Sequence, residues 1–328
     1  VITSNNVCNE PIVAYSDEGG FEKINKETPV ALLYWLSGTI LFNEYIREDE
    51  SVPTEVIQSN IVNWQDNSPH VKIEIIPDRI RHDYLCKDNN WKKVDSSQTK
   101  IGEFTTTKWG QGEPYSNFTP YKCPAGCVAV AVGQIMKFHK YPNNSNDPKF
   151  NWNIMPDIAQ NIHQQGATNI ALLLKDIGDN VNMIYTSAGS YASSSDARDA
   201  LVNDYGYSSS ANLADYNLHR VVNDIVNKQS PVYMDGYAKE IKYYKIWWFF
   251  WLKEYITYEE GHAWVCDGYR NITKKYYSEK CKEYAFAISE FLHMNWGNYG
   301  RSNGWYSSKS RYNLLYPYKM QCIYDIRP

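Results

Sequence analysis

The stretch "CPAGCVAVAVGQIMKFHKYP", residues 123–142, sets a cysteine directly after a glycine and directly before a run of small and aliphatic residues. "VAVAVGQIMKFHKY" reads as a buried helix beginning near Gly126, which puts Cys127 in its first turn. There the unpaired backbone N–H groups and the helix dipole favour negative charge and lower a thiol pKa. Ala129, Ala131 and Gly133 are small, so another element can approach this helix closely. A cysteine on an apolar helix is more often ordinary core filling than a nucleophile. The nucleophilic reading therefore needs a base, and the rest of the chain has to supply it.

The flanking sequence sets the fold class. "NIALLLKDIGDNVNMIY" reads as a second helix and "SSDARDALVNDYG" as a third, with Ser194 or Ser195 as its cap. Further on, "SPVYMDGYA", "HAWVCDGY", "YAFAISEFLHMNW" and "GWYSS" are β-branched and aromatic runs broken by glycine. Helices first and strands afterwards predict an α+β domain with an antiparallel sheet. Upstream, "PIVAYS" at 11–16 reads as a short strand closed by "DEGG". "TPVALLYWLSGTILFNEYI" reads as a helix with Thr28 as its cap and Pro29 at its first position. The polar run ending in "KDNNWKKVDSSQTK" reads as a linker or exposed loop, with a domain boundary at 95–105.

Composition narrows the function classes. The chain has 328 residues with 43% hydrophobic and 21% charged, ordinary values for a globular protein with a sizeable core. A net charge of −4 and a pI near 6.0, with no basic stripe, leave no electrostatic footprint for nucleic acid. Seven cysteines at 8, 86, 123, 127, 266, 281 and 322 include no CxxC pair, so neither a zinc site nor a dense disulfide scaffold is expected. The start at Val1, without Met or a charged leader, points to an upstream segment that has been removed.

Seven histidines compete to be the base. His139 lies on the helix of Cys127, twelve residues on, which at 1.5 Å per residue is about 18 Å away and out of reach. His70, His82 and His163 lack an apolar frame, and His219 sits unremarkably on a probable helix. His262, in "GHAWVCDGY", follows a glycine at the mouth of an apolar strand. His293 and Asn295 lie two apart in a strand and so share a face. A thiol nucleophile needs a base near the sulfur and a third group to orient the imidazole, and an amide oxygen suits that task. The order Cys127, His262, Asn295 is that of papain-like enzymes.

At these residues the sequence resembles the streptopain family of secreted bacterial cysteine proteases. "GCVAVAVGQIMKFHKYP" is similar to its nucleophile helix, "GHAWVCDGY" to its histidine strand, and "HMNWGNYG…GWY" to its asparagine-tryptophan loop. "WGQGEPYSNFTP", residues 109–120, is similar to the segment carrying the oxyanion-hole glutamine. The resemblance implies a papain-like fold, with a helical subdomain carrying Cys127 and a β-rich subdomain carrying His262 and Asn295. It implies Cys127 as nucleophile, His262 as general base and later acid, Asn295 orienting His262, and Trp296 shielding that contact from water. Gln111 would donate to the oxyanion beside the N–H of Cys127, and Ser194, Ser195 and Gly261 would bind substrate. No metal or organic cofactor is implied, and the partners are protein or peptide substrates. The N-terminal region is similar to the later part of an inhibitory prodomain. Residues 1–100 are thus expected to be a truncated α/β prodomain and linker, 101–328 the catalytic domain, and the whole a zymogen or partly processed form, secreted or on a bacterial cell surface.

Two features depart from the family. The polar region between about 47 and 105 aligns poorly, so the maturation site is open. "KEIKYYKIWWFFWLKEYITYEE", just before His262, is longer than in relatives, and reads as a buried strand or as a flap over the cleft. Its "IWWFFWL" is far short of the ~20 residues of a spanning helix, so membrane contact is not expected. Two other functions fit the same residues: transglutaminase-like acyl transfer, and a non-catalytic binding protein on this fold.

Overall fold

The computed structural model describes residues 2–3, 12–15, 92–143, 150–159, 164–247, 251–308 and 318–328. The helix expected after Pro29 lies outside these residues. Strands β1 (Ile2–Thr3), β2 (Ile12–Tyr15) and β3 (Lys92–Gly102) come first. Helices α1 (Cys127–His139) and α2 (Gln165–Asn180), the small hairpin β4 (Ile184–Thr186) and β5 (Gly189–Tyr191), and helix α3 (Ser194–Asp199) follow. Strand β6 (Asn212–Asp215) and helix α4 (Leu218–Val226) lead into β7 (Val232–Trp247), β8 (Trp251–Ser278), β9 (Glu283–Asn295), β10 (Gly304–Ser307) and β11 (Tyr318–Tyr324).

The long strands build one antiparallel sheet in the order β1-β2-β10-β9-β8-β7-β11-β6, with β3 also paired to β8. The α+β class with an antiparallel sheet is as the sequence predicts. Helix α1 has buried residues from Val128 to Met136, because it is held between the sheet and α2. Its small residues set that spacing: a Cβ at Gly133 would stand 2.8 Å from a Leu174 methyl of α2. One core joins α1 and α2 to Tyr233, Ala263 and Val265 on one sheet face. A second packs α4 with Met234, Trp264, Cys266 and Trp296 on the other. Adjacent strand residues thus feed opposite cores.

Two local expectations need correction, and a reading left open, the insertion before His262, is resolved as strand. The cap of α3 is Ser193, whose side chain accepts from the Asp196 amide, while Ser194 is the first helical residue and is buried. The stretch around "KKVDSSQTK" is a strand rather than a loop: β3 pairs with β8 from Lys92↔Tyr277 to Gly102↔Gly268. Backbone bonding carries it, for its residues are exposed from Lys92 to Lys100, and a polar, lysine-bearing strand of this kind resists edge-to-edge association. The aromatic insertion is a two-stranded ribbon in which β7 and β8 pair from Lys239↔Glu259 to Trp247↔Trp251, extending the sheet beyond His262.

The N-terminal segment joins this sheet directly. Strand β2, expected at 11–16, pairs with β10 through Trp305↔Tyr15 and Tyr306↔Ala14.

Where β3 leaves β8, Gly102 has φ +108° and a Cβ there would stand 2.3 Å from the Asp267 carbonyl oxygen and 2.4 Å from Gly268 Cα. Both obstacles are backbone and cannot swing away. Gly102→Ala should therefore destabilise the protein by on the order of 2 kcal/mol or more. Thermal unfolding would show this as a melting temperature several degrees lower; an unchanged melting temperature would contradict the close crossing.

Candidate active site

Cys127 is the first residue of α1, preceded by Gly126 as its cap with φ 92°. That backbone geometry suits glycine, and a Cβ there would also press on the Met183 side chain at 2.7 Å. The residue keeps some exposed surface, but its thiol is buried. The amides of Ala263, Cys127 and Val128 lie where they would hold its thiolate. Ala263 follows His262 on β8, so this contact brings the two motifs together across the helix–sheet boundary.

Burial nevertheless dominates and pushes the thiol above its ordinary range; the three amides pull it down, and the nearby Asp235 carboxylate pushes it up again. The expectation of a dipole-stabilised thiolate is therefore not met in the chain as it stands. The imidazole agrees: burial lowers His262 to about 4, against a smaller opposing effect from its bond to Trp296. The two groups are a neutral thiol and a neutral imidazole.

The orienting contact on His262 also differs from expectation. Nε2 lies 3.0 Å from the Trp296 backbone carbonyl oxygen. A carbonyl only accepts, so Nε2 carries the proton and Nδ1 keeps the lone pair that a base needs. The ring of His262 lies beside both Trp264 and Trp296, with centroids 6.2 and 6.3 Å away, and the two indoles are 5.1 Å from each other. Trp296 thus meets His262 through its carbonyl as well as its ring, and its indole N–H donates to the Tyr306 hydroxyl at 3.1 Å.

Asn295 does not touch His262 with its side chain. Its carboxamide is fully buried and donates to Thr105 Oγ1 at 3.1 Å and to the Thr107 carbonyl at 2.7 Å, while its oxygen accepts from the Gly297 amide at 3.2 Å. Thr105 in turn donates its amide to Asp267 Oδ2 at 2.8 Å and its hydroxyl to the same oxygen. His293 Nδ1 meets Asp267 Oδ1 at 2.6 Å. Burial opposes charge on His293, but Asp267 outweighs it and raises the imidazole above its usual range. His293 and Asn295 therefore do converge, on a shared network rather than on the thiol. That network fixes the 295–297 turn, whose Gly297 lies against α1 so closely that a Cβ would meet Val130 at 2.9 Å.

Gln111 lies in the loop before α1, partly exposed, and its backbone carbonyl accepts from the Ala125 amide at 2.8 Å, two residues before Cys127. Gly110 and Gly112 on either side pack against Tyr299, whose hydroxyl accepts from the Gly112 amide at 2.9 Å. Ser194 Oγ meets the Tyr233 hydroxyl at 2.9 Å, Ser195 is exposed on α3, and Gly261 is exposed beside the Tyr237 ring. Asp235, Asp267 and Thr105 escaped sequence reading. Asp235 carried a signal, for it is a charged residue within the strand run "SPVYMDGYA".

A helix starting at a cysteine and laid across an antiparallel sheet that carries a histidine is the papain-like peptidase arrangement. Residues 109–306 match the Peptidase C10 family, and the chain belongs to it. It is 27% identical to streptopain of Streptococcus pyogenes serotype M28 (strain MGAS6180) over 244 residues, covering 60% of this chain and 52% of that protein. Streptopain of serotype M1 is 26% identical with the same coverage. Thiol protease/hemagglutinin PrtT of Porphyromonas gingivalis is 25% identical over 232 residues, 60% of this chain and 22% of that protein. The chain thus spans about half the length of the streptopains it matches.

A thiol held above its usual range is alkylated faster as pH rises, with no plateau at acidic pH. Iodoacetamide labelling of Cys127, followed by mass mapping between pH 5 and 10, should climb steadily with pH. A flat rate between pH 5 and 7 would instead reveal a thiolate–imidazolium pair.

Proposed function

We propose that this chain is a cysteine endopeptidase, secreted or displayed on a bacterial surface, in a zymogen or partly processed form. The observation that carries the reading is the meeting at the start of α1. Cys127 lies there facing the Ala263 amide, and His262, the residue before Ala263 on β8, has its tautomer set by the Trp296 carbonyl. Family membership and the match to streptopain support it.

The reaction follows from those atoms. His262 Nδ1 takes the Cys127 proton as sulfur attacks the peptide carbonyl, which turns a neutral pair into a charged one only as the bond forms. The growing imidazolium is stabilised through Nε2–H by the Trp296 carbonyl dipole. The oxyanion is received by the backbone N–H of Cys127 and the Gln111 side chain; one such donor is worth about 2.7–4 kcal/mol of transition-state stabilisation. His262 then gives its proton to the leaving amine, and water, activated by the same nitrogen, hydrolyses the thioester. Asn295 is a positioning residue that acts through the turn it pins. Protein substrates with Ser194, Ser195 and Gly261 at the cleft complete the picture.

Residues 1–100 are read as inhibitory, and the pairing of β2 with β10 supports their docking on the catalytic sheet. The processing points flank β3, because a strand paired along its length to β8 resists entry into a protease cleft.

Three outcomes are expected. With casein under reducing conditions, Cys127→Ala and His262→Ala should lose nearly all hydrolysis. Asn295→Ala should lose less, while lowering stability by about 1–3 kcal/mol through its broken buried bonds. Retained hydrolysis in Cys127→Ala would exclude the nucleophile assignment, and incorporation of an added amine in place of cleavage would indicate acyl transfer. Next, His262 must be neutral to act as base, so kcat/KM should hold through mildly acidic pH and fall only as pH drops through about 4; a fall near pH 6.5 would contradict this. Finally, removal of the N-terminal region should raise activity sharply, with the new terminus outside 92–102. A fully active uncut chain would refute latency.

A further inference from the structure

Strand β7 turns Tyr233, Asp235 and Tyr237 toward the face that carries Ala263 and receives α1. Asp235 stands opposite Ala263 on β8 and opposite Gln321 on β11. Its side chain is buried, with 7% of its surface exposed. The groups around it are the Cys127 thiol from α1, the Ser194 hydroxyl from α3, the phenols of Tyr233 and Tyr237 on its own strand, and the Lys319 ammonium from β11. The Ser194 hydroxyl stands close enough to the carboxylate to favour its charged form. It meets the Tyr233 hydroxyl at 2.9 Å. Among the described residues nothing donates to Oδ1. Lys319 acts only through space, its ammonium standing 5.7 Å over the Tyr258 ring.

A buried carboxylate with an orphaned oxygen is unfavourable in the free protein, and burial accordingly raises Asp235 to about 7. The defect lies beside the nucleophile and next to the exposed Gly261 and the half-buried Tyr237, where a substrate chain must pass. A neutral donor would satisfy Oδ1 but leave a negative charge buried. A cation satisfies both the acceptor and the charge.

We propose that Asp235 determines specificity: its unpaired Oδ1 receives the ammonium or guanidinium of a lysine or arginine side chain of the substrate, bound beside the scissile bond. This rests on the peptidase reading above. Ser194, beside the carboxylate and bonded to the Tyr233 hydroxyl, is then a support for Asp235.

The test uses the processed enzyme and peptides that differ only in carrying arginine or its neutral isostere citrulline at each position flanking the cleaved bond. At one position the parent should prefer arginine in kcat/KM by on the order of tenfold or more, the effect of one charge-assisted hydrogen bond. In Asp235→Asn that ratio should collapse toward one. The parent's ratio needs no variant, so a misfolded Asp235→Asn cannot hide the answer. A ratio near one at every position in the parent, or an unchanged ratio in Asp235→Asn, overturns the proposal. So does an equal change on all peptides in Asp235→Asn, which would mean that Asp235 acts on the thiol instead. Absence of any peptide or casein hydrolysis by the parent removes the peptidase reading itself, whereas hydrolysis without the arginine preference removes this inference alone.

Discussion

The buried carboxylate of Asp267 is the constraint on which the site is built. It has no exposed surface, and it gathers the amide and hydroxyl of Thr105 and the imidazole of His293. Through Thr105 it ties the segment leaving β3 to the end of β9, and Asn295 completes the tie by reaching Thr105 and Thr107. The turn after Asn295 then has no freedom to drift, and its Trp296 carbonyl meets His262. Removing one partner from such a network strands buried polar atoms and costs far more than the net worth of one hydrogen bond. A single anion thus fixes a histidine tautomer without touching that histidine.

The site is correspondingly neutral at rest. Burial raises Cys127 and lowers His262 to about 4, so neither group carries charge at neutral pH. A backbone carbonyl in the orienting position gives direction and a modest dipole, and adds no negative charge to draw a proton onto the ring. This differs from a carboxylate, which would favour the imidazolium before substrate arrives. In the proposed reaction, charge separation is deferred to the bond-forming step, where the amides of Cys127, Val128 and Ala263 face the sulfur.

Much of the fold was legible in the sequence because its signals are local. The period and small residues of 127–139 gave the helix, its start and its close packing, and the alternating runs after residue 230 gave the central strands. Strand β3 was illegible because its partner, not its own polar residues, makes it a strand. The cap of α3 lies one or two residues before the serines expected, because three successive serines offer the same chemistry and only backbone geometry selects Ser193. In the candidate site, Cys127 and His262 are singled out in the sequence by their framing. The role of Asn295 is not, because its side chain binds residues nearly 190 positions away, and the contact to His262 comes from a backbone atom that no residue type encodes.

The account stands most directly on the protonation state of His262. Nitrogen-15 chemical shifts of histidine-labelled protein, with His262 assigned by comparison with His262→Gln, report which ring nitrogen carries hydrogen. A neutral ring protonated at Nε2 from pH 5 to 8 is the predicted result. A doubly protonated imidazolium at pH 7, or a neutral ring protonated at Nδ1, would contradict it.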